Sequence, residues 1–460
     1  MPLNMGLLTS LQTLQVFKVA LEKGRRLEEL GRLKKLKGKL TINGLQLVGN
    51  REEAQTAYLR KKPNIYKLTY VWSHDEPERC ETNDEYVLYS IQPHPNLKTL
   101  EVVDYLGTRF PSWFSEELLP NLVKLELRSC KMCREIPSLG QLKLLRHLEL
   151  VGSYELECIA PAFYGVEVSK KGIIQVFQSL KELVLVDMHS LIEWKGVELI
   201  PATNGARDEV RVRMFTGLEK LRITKRPLLK STPNQFEILR ELEIKGVDSE
   251  MPLLNLCSNL TSLVKLKVSD VKELTCLPDD MLRNNVFLQH LSVSHCGEFR
   301  ELPGVNYLTS LQGFWLYNCD GLTSLPSGIL EHYRSIDFLR ISDWGLHRLT
   351  GLRRLCIGPF SEMVDFDSFQ LIFNDIQQVL SLRKLEVYGR LQRDSLPYQL
   401  MELSALTRIY ITDFGIHGLP RGLANITSLE KLVLWRCKRL QHVDFLDAMP
   451  TTPSIAVKYR

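Results

Sequence analysis

Few residues of this 460-residue chain have the types and spacing that chemistry requires. Cys130 and Cys133 are spaced like half of a zinc site, but no second cysteine pair or suitably spaced histidine pair follows them. His295 and Cys296 are neighbours that form no recognisable catalytic cluster. The sequence has no phosphate-binding loop, no Gly-x-Ser-x-Gly elbow and no His-Glu-x-x-His motif. We therefore expect no enzyme, no catalytic residue, no bound metal and no cofactor.

Four cysteines occupy one recurrent place, three residues after the last apolar position of a predicted strand. Leu434-Trp-Arg-Cys437 is an example. This place faces inward where the strand ends, and a small side chain there can bond free backbone groups. We therefore expect buried, reduced thiols instead of a disulfide framework. The four are Cys130, Cys296, Cys319 and Cys437.

These cysteines belong to a short phrase of spaced apolar residues, such as Leu122-Val-Lys-Leu125-Glu-Leu127, which is the leucine-rich-repeat signature. The phrase returns mostly at intervals of about 21–25 residues. Two apolar residues that are two positions apart lie on one face of a short strand, and stacked strands form a parallel sheet. The predicted fold is an α/β repeat: a leucine-rich-repeat solenoid, or horseshoe, with a parallel β-sheet on the concave face and short 3₁₀, helical or irregular convex segments. The phrases begin at Leu97, Leu122, Leu145, Leu180, Leu218, Leu239, Leu263, Leu288, Leu311, Ile336, Leu352, Leu382, Leu406 and Leu429.

The repeats predict one continuous solenoid with two regions. Residues 1–96 read as degenerate repeats with one short helix near residues 51–61, and residues 97–460 read as the regular array. Two polar, turn-rich insertions lengthen the repeat near residues 160–176 and 196–214. We expect these insertions to be surface loops.

Composition excludes several classes of partner and location. The 59 lysines and arginines nearly match the 54 aspartates and glutamates, so the net charge of +5 disfavours a nucleic-acid partner. No apolar run approaches the length of a membrane-spanning helix, and the first residues lack the pattern of a signal peptide. The sequence predicts a cytoplasmic or nuclear protein without a membrane span.

Residues that alternate with the apolar strand positions should face the concave side, where a partner can dock. In the later repeats these residues are largely aromatic, with the basic neighbours Arg354, Lys384, Arg408 and Lys431. Such residues are typical of interface hot spots, and we predict that they bind a protein. The predicted protein-binding residues are Trp315, Tyr317, Phe338, Arg340, Tyr388, Tyr410 and Trp435. In the earlier repeats the face has charges of both signs, and the predicted intramolecular or partner contacts are Lys124, Arg128, Lys220 and Arg222.

Several longer strings follow one another in an order that resembles the leucine-rich-repeat region of plant coiled-coil nucleotide-binding disease-resistance proteins, which are cytosolic immune receptors. The resemblance covers essentially the whole chain. The strings include Leu8-Thr-Ser-Leu-Gln-Thr-Leu14, Glu53-Ala-Gln-Thr-Ala-Tyr-Leu59, Leu68-Thr-Tyr-Val-Trp72, Phe110-Pro-Ser-Trp113, Ala162-Phe-Tyr-Gly165, Phe177-Gln-Ser-Leu-Lys181 and Glu193-Trp194.

This resemblance implies a recognition module that binds a pathogen effector or a guarded host protein. In the family, the N-terminal repeats also restrain a nucleotide-binding switch. That switch and the coiled coil are absent from this sequence, so ADP or ATP would belong to the nucleotide-binding domain of a full-length receptor, which is a further expected partner.

Two other classes remain open. An extracellular leucine-rich-repeat receptor ectodomain or hydrolase inhibitor would use the same face, but it would carry paired capping cysteines and a Gly-x-Ile-Pro step, where this chain has Leu-Pro steps such as Leu277-Pro278. A ubiquitin-ligase substrate receptor would need an adaptor-binding helical module ahead of the repeats.

Overall fold

The computed structural model of the chain has two compact units, Met1–Thr261 and Ser262–Arg460. Each unit is built on a parallel β-sheet whose strands follow one another in the sequence. The residues that the structure describes are 1–72, 84–166, 173–197, 211–304, 307–317, 319, 321, 338–341, 353–357, 373, 381–389, 394–442 and 453–458.

Unit 1, Met1–Thr261, has one main parallel sheet, two small two-stranded sheets and four short α-helices in its described part. The main strands pair in the order β1, β2, β3, β4, β5, β6, β9, β12, β13 and are β1 Val16–Lys18, β2 Gly38–Asn43, β3 Ile65–Val71, β4 Thr99–Val103, β5 Lys124–Arg128, β6 His147–Val151, β9 Glu182–Val186, β12 Lys220–Thr224 and β13 Glu241–Val247. The small sheets pair β7 Cys158–Ile159 with β10 Glu193–Trp194, and β8 Ile173–Val176 with β11 Arg211–Met214. The helices are α1 Leu27–Arg32, α2 Arg51–Gln55, α3 Asp84–Ser90 and α4 Met251–Cys257.

Unit 2, Ser262–Arg460, repeats the same plan. Its described helix is α5 Asp279–Asn284, and its strands pair in parallel with their neighbours in sequence. The strands are β14 Lys265–Val271, β15 His290–Ser294, β16 Gly313–Tyr317, β17 Phe338–Ile341, β18 Arg354–Ile357, β19 Lys384–Tyr388, β20 Arg408–Thr412, β21 Lys431–Trp435 and β22 Ser454–Lys458.

The leucines of the repeated phrase form the core in register. Leu100, Leu125 and Leu148 are opposite one another on three consecutive strands, and all three are buried. In each strand, the residues directly before and after the buried leucine point to the other face of the sheet, because side chains alternate along a strand. The predicted parallel sheet is therefore present in both units.

A shared turn ends many of the strands. One residue takes a left-handed backbone conformation, as Ser129 and Arg436 do with φ of 55° and 56°, and the next residue is buried. Where that next residue is cysteine, its thiol donates to the carbonyl two residues earlier, at 3.8 Å for Cys130 and 3.7 Å for Cys437. This buried position, which we call the slot, is the inward-facing place predicted from the sequence. It contains Cys130, Cys296 and Cys437, and after other strands it contains Tyr105, Ser153, Met188, Arg226, Val247, Val271 and Phe414. Cys319 is also buried, and none of the nine cysteines in the described part forms a disulfide.

The segments that connect one strand to the next, which we call the return segments, contain short helical pieces. Proline at positions 278, 397 and 420 directly precedes the helix α5 and the 3₁₀ helices Tyr398–Glu402 and Arg421–Asn425. Proline is compatible with the first position before a helix, where the backbone is still extended, and not with a helix interior. In the described part no helix exceeds seven residues.

The helix predicted near residues 51–61 consists of two separate pieces, α2 and the 3₁₀ helix Leu59–Lys61. Asn50 caps α2, because its side chain accepts a hydrogen bond from the Glu53 amide at 2.8 Å. The Glu53 carboxylate accepts from the Gly49 amide at 3.0 Å. Tyr58, with φ of 46°, separates the two pieces because a left-handed residue cannot continue a helix.

The segments predicted as surface loops contribute some residues to the core where the structure describes them. Residues 167–172 and 198–210 lie outside the described part, but β8 and β11 at the ends of these insertions pair with each other. Val176 and Met214 are almost fully buried. The expectation of loops was too broad, because both strands have buried apolar residues that the polar insertions conceal in the sequence.

Aromatic residues from the return segments of unit 1 form a stack in its core. The Phe177 and Phe215 rings are parallel at 5.2 Å, and Phe215 stacks on Phe236 at 5.3 Å. Trp194 contacts the edges of both Phe215 and Phe236, and its indole nitrogen donates to the Tyr164 hydroxyl at 3.0 Å. Several strings that carry the family resemblance therefore encode this core.

The predicted boundary between residues 96 and 97 does not interrupt the sheet, because β3 pairs with β4 across it. A single continuous solenoid through both units stays a prediction.

Candidate protein-binding surface

The face of each sheet that points away from the leucine core is the open face. Its residues form three rows that run across the strands, given by the first, third and fifth residues of a five-residue strand. Neighbouring strands lie about 4.8 Å apart, so residues of one row contact residues from consecutive repeats.

The open face of unit 1 carries a ladder of three glutamates in its middle row. Glu101, Glu126 and Glu149 are direct partners on β4, β5 and β6. Arg128 bridges them, with Nε 3.0 Å from Glu126 and 3.7 Å from Glu101, and a terminal nitrogen 3.0 Å from Glu149. Lys124 adds an ion pair with Glu126 at 2.6 Å. One arginine thus allows three carboxylates to lie on adjacent strands.

These contacts change the acidity of the central carboxyl group. Burial would raise the pKa of Glu126, but the hydrogen bond from Lys124 and the charge of Arg128 outweigh burial and hold that pKa below its ordinary value. Burial alone would lower the pKa of Arg128, whereas Glu126 and Glu149 hold it above its ordinary value. Glu126 is therefore ionised and fully engaged within the protein.

Several other charges of this face are also paired. His147 Nδ1 lies 3.2 Å from Glu182, Lys220 lies 2.8 Å from Glu241, and Arg222 lies 3.0 Å from Glu243. A cleft of about 350 Å³ between these pairs has Val184 in its lining. The predicted contact residues Lys124, Arg128, Lys220 and Arg222 all lie on this face, and each is paired with a carboxylate of the same face.

The open face of unit 2 has a different charge pattern. Its first row has cations at four consecutive strands, from β18 to β21. The structure places one carboxylate, Glu386, at the described open-face positions of β18 to β22, and it lies 2.6 Å from Lys384. The four cations, which we call the cation row, are Arg354, Lys384, Arg408 and Lys431.

Trp315 lies flat on the open face of unit 2. A side chain at Gly313 would overlap the Trp315 ring, so the indole covers the backbone of its own strand. The His290 ring on the neighbouring strand is 5.7 Å away, centroid to centroid. Burial, with the charges of Lys265 and Arg354, lowers the pKa of His290 and favours its neutral form beside the indole.

The other described aromatic residues of this face lie beside cations. Lys384 Nζ is 4.6 Å from the centroid of the Tyr410 ring, and Lys458 Nζ is 5.5 Å from the Trp435 ring. Trp435 is 43% exposed, so a large part of its side chain is accessible to a partner. The Tyr388 hydroxyl donates to Glu386 at 3.3 Å. Tyr410 is in the middle row, and Tyr388 and Trp435 are in the last row.

The side chains of the other predicted binding residues, Tyr317, Phe338 and Arg340, lie outside the described part, and only their strand positions are placed. Sequence reasoning identified the cations but missed how they are paired. The signal was available in the register, because aligning the repeats puts Glu101, Glu126 and Glu149 at one position.

The other chemical candidates are structural. Cys133 is buried, and its thiol donates to the Gly107 carbonyl at 3.0 Å, beside the slot residue Cys130. Within the described ranges, histidine, cysteine and acidic residues form no group of three that could hold a metal. In the same ranges, helices of the length and apolarity needed to cross a membrane are absent.

Comparison with known proteins connects this geometry to plant proteins. The sequence profile described as R13L1/DRL21 LRRs matches residues 27–153. Disease resistance protein RGA2 of Solanum bulbocastanum is 31% identical over 299 residues, which are 65% of this chain and 27% of that protein. Putative disease resistance RPP13-like protein 1 of Arabidopsis thaliana is 30% identical over 334 residues, which are 70% of this chain and 28% of that protein. The chain thus spans little more than a quarter of these relatives.

Among solved structures, a chain of the Toll–Spatzle complex from Drosophila matches 97% of this chain and 56% of its own length, with 15% identity and a TM-score of 0.53. This likeness concerns the fold alone. With the parallel sheets and the profile match, it confirms the predicted leucine-rich-repeat fold class.

Proposed function

Because the resemblance to the leucine-rich-repeat region of plant coiled-coil nucleotide-binding disease-resistance proteins is confirmed, we propose that this chain is a non-catalytic recognition module of plant innate immunity. It binds a pathogen effector or a guarded host protein in the cytoplasm or nucleus. It does so through the open face of unit 2. The chain does not modify the protein that it binds, and its function is recognition alone.

The observation that carries this proposal is the combination of exposed aromatic rings and cations on one rigid sheet. Trp435, Tyr410 and Trp315 lie on the same open face, and strands fix their relative positions. Rigid aromatic side chains beside cations supply large contact area at low entropic cost, which is why they dominate interface hot spots. The paired charges of unit 1 offer no comparable anchor.

A second part of the proposal concerns unit 1. In a full-length receptor, its open face would contact the nucleotide-binding and coiled-coil domains through Lys124, Arg128, Lys220 and Arg222. ADP or ATP would bind to the nucleotide-binding domain and not to this chain. The support is the ion-pair network of Arg128, which a partner domain could rearrange by exchanging one carboxylate for another.

The test is affinity capture from healthy and pathogen-challenged plant tissue with the full chain and with the variant Tyr410→Ala/Trp435→Ala. The intact chain should capture a protein from challenged tissue, and the variant should lose at least about tenfold of that affinity, since an aromatic anchor contributes about 2 kcal/mol.

The matched control is Lys34→Ala/Lys35→Ala in an exposed turn of unit 1, which should retain capture. Thermal unfolding of Trp435→Ala should stay within about 1 kcal/mol of the intact chain, since the ring lies at the surface and not in the leucine core. Equal capture by the intact chain and the aromatic variant would refute the proposal.

A further inference from the structure

The cation row is the most unbalanced charge arrangement on the open face of unit 2. Register pairs Arg354 with Lys384, Lys384 with Arg408, and Arg408 with Lys431. Like charges directly opposite each other on neighbouring strands destabilise a sheet. An external anion bound at the row would therefore stabilise the folded protein.

The protein itself compensates only part of this charge. Lys384 has Glu386, but Arg408 and Lys431 have no ion-pair partner among the residues that the structure describes, and both are exposed. On the open face of unit 1, in contrast, Lys124, Lys220 and Arg222 each have a carboxylate within 3.0 Å. In the described part, the same fold thus pairs Lys124, Lys220 and Arg222 of one open face with carboxylates and leaves Arg408 and Lys431 of the other without them.

The surroundings of the row favour a protein ligand. Next to Arg408 and Lys431 the middle row has Tyr410 and Val433, and the last row has Trp435. These side chains suit the apolar groups of a protein segment, and a row of four cations is smaller than the footprint of about six to ten phosphate contacts typical of nucleic-acid binding. Four strands span about 14 Å, which matches about four or five residues of an extended chain.

We propose that the open face of unit 2 binds an acidic protein segment, rich in aspartate and glutamate, whose carboxylates pair with the cation row. An apolar residue of the same segment packs on Tyr410 and Trp435. This inference rests on the proposed recognition function and specifies the chemistry of the partner. Arg408 and Lys431 supply the charge, and Lys384 is held by Glu386 and positions the Tyr410 ring through its cation–π contact.

The experiment uses the full chain and a fluorescein-labelled oligo-glutamate peptide of about six residues, long enough to cross the row. Fluorescence anisotropy should show binding that weakens as salt increases, because the contacts are exposed ion pairs. The variant Arg408→Gln/Lys431→Gln should weaken binding about tenfold. The matched control Lys34→Gln/Lys35→Gln removes the same charge from an exposed turn of unit 1 and should change binding less than about twofold.

Two comparison probes decide between anion classes: an oligo-thymidylate of equal charge and vesicles that contain phosphatidylserine. Tighter binding of either probe than of oligo-glutamate would overturn the proposal, as would equal affinity of the row variant and the intact chain. Circular dichroism and thermal unfolding verify that the row variant is folded.

Failure of this inference can be told from failure of the proposed function. If tissue capture is lost with Tyr410→Ala/Trp435→Ala but kept with Arg408→Gln/Lys431→Gln, recognition stands and the acidic segment is wrong. If capture is unaffected by both variants, the recognition surface itself is wrong.

Discussion

Lys62 is a buried residue whose protonation should change the stability of unit 1. Its side chain is 2% exposed, and Nζ donates to the Leu33 carbonyl at 2.8 Å, while no carboxylate of the described residues pairs with it. Burial lowers the pKa of Lys62 from 10.5 to about 8, because the charged form loses solvation that one carbonyl does not replace.

This pKa predicts a rise of stability in alkaline solution. Between pH 8 and 10.5 the unfolded chain binds more protons at Lys62 than the folded chain, so the free energy of unfolding increases as pH rises through this window. The increase should be about 2–3 kcal/mol over the full window, measured by urea unfolding. The variant Lys62→Met should lack this increment, and an identical rise in both proteins would contradict the assignment.

Arg226 marks the limit of residue-level prediction. It occupies the slot that contains cysteine, serine, an aromatic or an aliphatic residue after other strands, and it is fully buried. One terminal nitrogen donates to the Thr224 and Lys225 carbonyls at 3.0 Å each, and burial lowers the pKa of Arg226 to about 9. The slot cysteines could be predicted because their type matches the site. Arg226 could not, since its type indicates an exposed position and only the register places it inside.

At the scale of elements, the aromatic stack should contribute strongly to the stability of unit 1. Phe215 lies between Phe177 and Phe236, is fully buried, and contacts the Trp194 and Tyr164 rings as well. The variant Phe215→Ala removes contacts on both faces of the stack and leaves a cavity. We expect a loss of about 3–5 kcal/mol in the free energy of unfolding.

Chemical denaturation measures this loss, and Phe287→Ala serves as the matched control because Phe287 is 66% exposed. The control should change stability by less than about 1 kcal/mol. A similar effect of both substitutions would mean that the stack does not support unit 1.

Elements with regular spacing could be predicted from the sequence, and elements with local exceptions could not. The strands follow from the apolar phrase, since leucines two residues apart define a buried face. The α2 helix could be located from Asn50 and Glu53, but its early end depends on the left-handed Tyr58, which has no sequence signature. β8 and β11 were missed because their pairing is non-local and the intervening segments are polar.

At the scale of the whole molecule, the arrangement of charge matters more than its total. The net charge of +5 is small, yet the central charges on the open face of unit 1 pair with one another, and the open face of unit 2 carries the cation row. The sequence supplied the residue types of both faces. It could not supply the pairing, because ion pairs depend on which residues of separate repeats lie opposite each other.

This contrast predicts opposite responses to salt. Raising sodium chloride from about 0.01 M to about 1 M shortens the Debye length from about 30 Å to about 3 Å, below the spacing of the strands. Screening should relieve repulsion along the cation row and weaken the ion pairs of unit 1. In native-state hydrogen exchange, amide protection in β19 to β21 should rise about two- to fivefold, while protection in β4 to β6 should stay constant or fall.

The variant Arg408→Gln/Lys431→Gln separates this effect from general salting-out. Without two of its charges the row has little repulsion to relieve, so protection in β19 to β21 should already be high at low salt and should change little as salt is added. In β4 to β6 the variant should behave like the intact chain. If the intact chain and the variant gain the same protection in β19 to β21, the salt effect comes from general burial and not from the row.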